Sequence, residues 1–253
     1  MIFEGIKGKR VLITGASGGI GAEIARVFAD YGAILGLHYL SNEKSVSELL
    51  KEITDRGVRA EIFQADLFIS KSQNGLFREF TEKFGGIDVL INAAGAVYDH
   101  RHFSELPEDS FKKTFGLNVR APFYMTSKAF VEMKKEGGGK IVNLSSANVK
   151  YGGSAKSLHY VASKAALESL TLGFAREGAK DNILVNAVRC GLIDTPMRKK
   201  IAGYTEEDFR KRMEMVPLKR AGTPRDIAQM VLFLAAETGD FITGEIFTVA
   251  GGD

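Results

Sequence analysis

The chain has 253 residues, 45% of them hydrophobic and 26% charged, with a net charge of +3 and one cysteine, Cys190. This is the balance of a globular protein with a sizeable core. It excludes an intrachain disulfide and a Cys-based zinc site, and the charge is too slight to argue for nucleic acid. The longest apolar runs fall far short of the ~18 residues of a transmembrane helix. The four histidines, His38, His100, His102 and His159, show no metal-ligand spacing, so no metal is expected. The first residues lack the basic, apolar and small-residue order of a signal peptide, and a reducing cytoplasm is the expected location.

Short β-rich apolar runs alternate with longer amphipathic segments along the whole chain. The runs at 10–14, 33–39, 60–64, 89–92, 140–144, 183–188 and 246–249 read as strands. The segments 19–31, 43–56, 71–84, 110–135, 159–179 and 224–237 read as helices. Strands alternating with helices imply right-handed βαβ units, hence a doubly wound parallel sheet of about seven strands with helices on both faces. No repeat or linker divides the sequence, so one domain over 1–253 is expected. Residues 194–220, with Met197, Met213 and Met215 among charged residues, break the rhythm and read as a short helical lid over the carboxyl edge of the sheet.

Directly after the first strand comes Thr14-Gly15-Ala16-Ser17-Gly18-Gly19-Ile20-Gly21, which opens a helix. Glycines permit the tight turn and let the backbone approach a ligand. The helix N-terminus then offers free N–H groups and partial positive charge to a pyrophosphate. The spacing is Thr-Gly-x-x-x-Gly-x-Gly, with Gly15, Gly19 and Gly21, rather than the commoner Gly-x-Gly-x-x-Gly. Farther on, Tyr160 and Lys164 stand four residues apart, on one face of a helix. A phenol ordinarily titrates near pH ~10, and a neighbouring cation lowers that value. The pair is therefore suited to give a proton to a carbonyl oxygen.

These features, with Asn92-Ala93-Ala94-Gly95, Asn118 and Ser146, closely resemble the short-chain dehydrogenase/reductase family over essentially the whole chain. Pro217-Leu218-Lys219-Arg220-Ala221-Gly222-Thr223-Pro224 and the ending Gly251-Gly252 add to the likeness, which is nearest to the 3-oxoacyl-(acyl-carrier-protein) reductases of fatty acid biosynthesis. The resemblance implies a Rossmann fold. It implies that Tyr160 is the general acid, that Lys164 lowers its pKa and binds the nicotinamide ribose, and that Ser146 holds the substrate oxygen. Asn118 would bend its helix and hold a water linking Lys164 to solvent. Ser145 rivals Ser146, because the spacing to Tyr160 is one residue longer than usual in relatives; Ser146 matches the second serine of the motif. Cofactor contacts would come from Gly15, Ser17, Gly18, Gly19, Ile20, Gly21, Tyr39, Leu40, Ser41, Asp66, Leu67, Asn92, Ala94, Gly95, Tyr160, Lys164, Ile193 and Thr195. A homotetramer is implied, paired through the helices at 123–135 and 159–179 and through an interface near the C-terminus. Where the family has Pro-Gly after its sixth strand, this chain has Cys190-Gly191, and Cys190 reads as a buried small residue rather than a reactive thiol.

An acidic residue at the end of the second strand would bind a ribose 2′-OH and repel a 2′-phosphate. His38-Tyr39-Leu40-Ser41-Asn42 has none, which favours NADP over NAD, with Ser41, Asn42 and Lys44 available to the phosphate. On the same reasoning an acid at Tyr39 would favour NAD. Between Arg198 and Arg220 lie eight basic residues (Arg198, Lys199, Lys200, Arg210, Lys211, Arg212, Lys219, Arg220) against four acidic ones (Glu206, Glu207, Asp208, Glu214). A positive lid edge would suit an acyl carrier protein or a phosphopantetheine phosphate. A solvated amphipathic helix explains the run equally well. Basic positions of carrier-dependent relatives align here with Gly137 and Asp181, with Lys134, Lys135 and Lys180 as possible substitutes. Three readings follow: an NADPH-dependent 3-oxoacyl thioester reductase, a dehydrogenase of a small alcohol, sugar or ketone, and a catalytically idle cofactor-binding sensor.

Overall fold

The computed structural model describes residues 3–196, 201 and 204–253. The chain runs β1 (Arg10–Thr14), α1 (Gly19–Asp30), β2 (Ile34–Tyr39), α2 (Glu43–Thr54), β3 (Ala60–Gln64), α3 (Ser70–Phe84) and β4 (Val89–Asn92). There follow α4 (Glu108–Phe115), α5 (Ala121–Lys135), β5 (Gly139–Ser146), α6 (Leu158–Gly178), β6 (Ile183–Cys190), α7 (Glu206–Met215), α8 (Pro224–Ala235) and β7 (Ile246–Val249).

All seven strands form one parallel sheet in the order β3-β2-β1-β4-β5-β6-β7. The order reverses between β1 and β4, and ligands of such sheets bind in the crevice beyond the carboxyl ends of the strands at that point. Side chains alternate across each strand, so successive residues feed two separate cores. Val11, Ile13, Leu35 and Leu37 pack under α1, α2 and α8. Leu12, Leu90, Ile141 and Val185 pack under α3 and α5. This is the doubly wound arrangement expected from the sequence. Among the described residues no helix is long and apolar enough to cross a membrane.

Two departures from the sequence reading bear on the site. The helix expected over 110–135 is interrupted by a π-helical turn at Gly116–Arg120, centred on the buried Asn118. Its side chain accepts from Ala96 N (3.0 Å) and donates to Ala96 O (3.0 Å) and Ser163 Oγ (3.0 Å), and these bonds hold the bulge open. Strands β5 and β6 also run two residues farther than expected, because Ser145 pairs with Arg189 and Ser146 with Cys190. The sheet thus carries Ser146 and Cys190 side by side to its carboxyl edge.

In the insertion, Thr205 and Asp208 form a reciprocal capping box that starts α7, as a helical lid requires. No residue of α7 is buried. Met197, Arg198, Lys199 and Lys200 lie outside the described residues.

Candidate active site

The first wall of the crevice is the glycine turn after β1. Gly15 has φ +71, and a methyl group there would meet Ala94 Cα at 2.9 Å. Gly21 lies against Gly15 O, where a methyl group would come to 2.4 Å. Only glycine fits these positions, and the turn is thereby pressed onto the segment after β4. Thr14 Oγ1 seals the contact by accepting from Ala93 N (3.0 Å) and Ala94 N (3.1 Å). Helix α1 begins at Gly18 without any side-chain cap and without an acidic residue in its first turn. Its free N–H groups and positive end fit a pyrophosphate. Gly19 and Ile20 are half-buried at this start, as is Ser17 before it. A methyl group on Gly19 would be 3.1 Å from Thr195 Cβ, which puts Thr195 over the turn, and Ile193 is tied to Gly222 by an isolated bridge beside it.

Behind the turn stands His38, which the sequence reading passed over. Its Nδ1 accepts from Gly15 N (3.0 Å), and its Nε2 donates to Ala65 O (3.0 Å). That pairing fixes the neutral tautomer. Burial pushes its pKa from 6.5 down to about 4. The available signal was a histidine inside the apolar strand Ile34-Leu35-Gly36-Leu37-His38-Tyr39, because a buried imidazole must find partners.

The expected cofactor contacts are only partly brought together. Tyr39 is 5% exposed and belongs to the core, whereas Leu40 is 49% exposed at the mouth of the crevice. The Tyr39 side chain packs into the core at the end of β2, and Leu40 is the exposed residue that follows it. Ser41 is exposed, as is Lys44, which has no ion pair among the described residues. Asn42 caps α2 by accepting from Ser45 N. Asp66 accepts from Phe68 N (2.8 Å) and Leu67 is buried. Asn92 does not point its side chain into the crevice: it donates to Thr126 Oγ1 (3.2 Å) and Asn143 Oδ1 (2.8 Å) within the sheet–helix layer.

The other wall comes from β5 and α6. Lys164 is buried, and its Nζ donates to Leu144 O (2.8 Å). A methyl group on Gly95 would lie 3.1 Å from both Lys164 Nζ and Asn118 Oδ1, so the three groups are closely packed. Tyr160 stands one turn before Lys164, with the Ser146 hydroxyl near enough to favour its ionised form. Strand alternation separates the two serines: Ser145 Oγ donates to Glu168 Oε1 (2.6 Å), which Arg189 grips with two bonds of 2.8 and 2.6 Å. Ser145 is thus engaged by Glu168, and Ser146 is the serine near Tyr160.

The electrostatics differ from the sequence expectation. Burial pushes the Tyr160 phenol up to about 12, against a lowering by the neighbouring Ser146 hydroxyl. Lys164 Nζ stands 5.9 Å from the ring centroid, and burial lowers its own pKa to about 8. Burial also pushes Cys190 up to about 12, although Lys164 pulls the other way. The sequence had shown no positive partner for this thiol; the fold supplies one, and burial still keeps the thiol neutral at pH 7.

These observations together define a dinucleotide-binding fold with a tyrosine–lysine–serine site at its topological switch. A family model described as enoyl-(acyl carrier protein) reductase matches residues 15–253. The chain is 35% identical to a 3-oxoacyl-(acyl-carrier-protein) reductase of Aquifex aeolicus, covering 98% of both. It is 34% identical to a 3alpha-hydroxysteroid dehydrogenase of Mediterraneibacter gnavus, covering 99% of this chain and 98% of that protein. Among solved structures, a blue fluorescent protein from a metagenomic library in complex with NADPH superposes with a TM-score of 0.90 at 34% identity, covering 98% of both chains. The protein belongs to the short-chain dehydrogenase/reductase family and is an NAD(P)-dependent oxidoreductase.

The His38 bonds generate a pH dependence. Its folded pKa of about 4 lies below the 6.5 of an unperturbed histidine, so the unfolded chain takes up the proton first as pH falls. Stability is unaffected above 6.5, declines between 6.5 and about 4, and levels off below. The full loss is on the order of 3 kcal/mol. Urea midpoints between pH 7 and 4 should show this slope, and His38→Asn should flatten it.

Proposed function

We propose that the protein is an NADPH-dependent carbonyl reductase whose substrate is the ketone of a 3-oxoacyl thioester, in fatty acid biosynthesis. The observation that carries the reductase reading is the convergence of Ser146, Tyr160 and the buried Lys164 beside the crevice between β1 and β4. Residues 1–253 act as one nucleotide-binding unit, with 194–220 as a lid over the substrate.

The residues fit the cofactor: the glycine turn and the open α1 start suit its pyrophosphate, and Gly95, Lys164 and Asn118 form a cradle that an added Cβ would fill. When bound, NADPH supplies the hydride. The chain's own groups handle the oxygen. Ser146 donates to the ketone oxygen as negative charge gathers there. Tyr160 gives that oxygen its proton, and a phenol near 12 is fully protonated at pH 7 and well below an alkoxide in basicity. The Lys164 ammonium faces the resulting phenolate across the helix turn and holds the nicotinamide ribose. Asn118, bound to Ala96 and Ser163, keeps the π-helical turn in place and orders a water leading from Lys164 to solvent.

NADP is favoured over NAD because Leu40 and Ser41 offer no carboxylate to a 2′-phosphate, while Lys44 is an exposed cation on the first turn of α2. The similarity to the NADPH-complexed structure supports the same choice. The thioester is supported by the relative of Aquifex aeolicus. A second reading, a free ketone or hydroxy compound, is favoured by the charges. Arg210 pairs with Glu207 and Glu214, Lys211 with Glu207, Arg212 with Asp253 and Arg220 with Asp226. Lys134, Lys135 and Lys180 pair with Asp181, Glu132 and Glu177. These cations are already neighbours of carboxylates, which weakens the case for docking an acidic carrier. NADPH oxidation with acetoacetyl thioester, set beside a panel of ketones, sugars and steroids, decides: a higher kcat/KM for any free ketone would overturn the thioester reading.

The quaternary proposal is a homotetramer. Met125 and Met133 are buried in the subunit, but Phe123, Tyr124 and Val131 of α5 and Leu172 of α6 remain exposed. Phe111, Phe115, Val119, Phe123, Tyr124 and Leu170 line an open apolar groove of about 560 Å³. Ala162, Ala165 and Gly173 leave α6 a flat exposed face, and Phe241, near β7, is fully exposed. A two-fold contact through α5 and α6 and a second through the β7 end close such a tetramer.

Tyr160→Phe should lower kcat about 10²–10⁴-fold while NADPH still binds; turnover near that of the wild type would remove Tyr160 from the acid role. Leu40→Asp should reverse the cofactor preference toward NADH, read as the ratio of kcat/KM values, and a wild type already faster with NADH would sink the NADP assignment. Sedimentation should give about four times the 27.6 kDa chain mass at micromolar protein, whereas a monomer peak would exclude the assembly.

A further inference from the structure

We propose that Asp253 and Arg212 are positioning residues for the substrate pocket: their ion pair clamps the lid helix α7 to the loop that carries Ser146. The inference rests on the reductase reading of that site. Arg212 Nη2 donates to Asp253 Oδ2 and lies 3.5 Å from Asn148 Oδ1. Asn148 N in turn donates to Ser146 Oγ (3.3 Å). A second strut comes from the same turn after β5, where Lys150 Nζ donates to Asp253 O (3.0 Å). One carboxylate-bearing residue thus joins the lid to the catalytic serine's loop from two sides.

Burial sets this pair apart from the other lid charges. The Arg212 and Asp253 side chains are 22% and 9% exposed, whereas Arg210 and Glu214 are 58% and 61% exposed. Exposed pairs contribute little, but a shielded one resists both water and salt. The clamp also has little competition, because α7 buries no apolar residue of its own. The segment bearing Asp253 is shaped for its place under the lid's exit. Gly251 and Gly252 have φ +67 and +92, and a methyl group on either would approach Val216 Cγ1 or Pro217 Cβ to 3.0 Å. Leu218 N donates to Gly251 O (3.1 Å) and ties the end of the lid to the same strand exit.

Because neither residue touches the tyrosine or the glycine turn, the clamp sets where the lid lies over the ketone without altering proton transfer. Asp253→Asn and Arg212→Gln should each raise KM for the ketone about tenfold, the scale of a lost charged hydrogen bond. The kcat and the NADPH dissociation constant should stay within about twofold of wild type. The double variant should be no worse than either single one, and Asp253→Glu should restore part of the loss. Amide hydrogen exchange should rise over residues 206–215 and stay unchanged over 160–178. An unchanged KM in Asp253→Asn, additive losses in the double variant, or exchange rising throughout the chain would overturn the clamp. Should the wild type reduce none of the ketones tried, the reductase reading fails, and exchange over 206–215 alone judges the clamp: no rise in either variant defeats it.

Discussion

The site depends on a polar seam that fixes helix α6 to strand β5. Lys164, Glu168 and Thr171 lie on one stripe of the helix, and each meets a different residue of the strand: Leu144 O, Ser145 and Asn143. Tyr160, one turn farther up, meets Ser146. A hydrophobic interface alone would tolerate sliding or rotation of α6, because apolar contacts are non-directional. Hydrogen bonds are not, and a slip would leave several buried polar groups unpaired at a cost of about 1–3 kcal/mol each. The Glu168–Arg189 pair extends the seam to β6, and removing one partner from such a shielded pair costs about 3–5 kcal/mol. Glu168, Thr171 and Arg189, which take no part in the proposed chemistry, thereby help Lys164 hold the tyrosine and the serine in register.

A comparable logic holds the cofactor side. The glycine turn is not merely permitted by small residues; it is pinned by Thr14 from below and by His38 from behind. Both use side chains of the strands that flank the turn, so the sheet itself sets the height of the α1 start. Asn92 belongs to this scaffold rather than to the ligand surface, since its amide bridges β4, β5 and α5. The residues that remain open toward a nucleotide are glycines, backbone N–H groups and the exposed Leu40–Ser41 corner. Cofactor discrimination is thereby concentrated in a few surface positions that the fold does not need.

The lid shows how charge counts mislead without partners. Its excess of basic residues suggested an electropositive docking edge, yet Arg210, Lys211, Arg212 and Arg220 pair with carboxylates of α7, Asp253 or Asp226 of α8, and Lys219 Nζ donates to Glu214 O. The most shielded of them, Arg212, faces inward. Electrostatic attraction at long range depends on unneutralised charge, and close carboxylates remove most of it. The same placement puts Arg212 beside the turn that follows Ser146.

The α/β alternation was legible in the sequence because burial on both faces imposes apolar runs on parallel strands and amphipathic periods on the helices between them. β1, β3, β4 and β7 begin and end where their apolar runs do. The glycine turn, Tyr160 with Lys164, and Ser146 were likewise visible, because tight turns and proton transfer admit few residue types. Contacts between residues far apart in the chain were not visible. Asn118 with Ala96, His38 with Gly15, Glu168 with Arg189, and Arg212 with Asp253 each join side chains whose local spacing carries no signal. Nor did the sequence give how strongly burial opposes ionisation of the Tyr160 phenol. Local sequence determines which elements form and which chemical groups are available. Tertiary packing determines which of those groups meet, how far water is excluded from them, and so which of their charges survive.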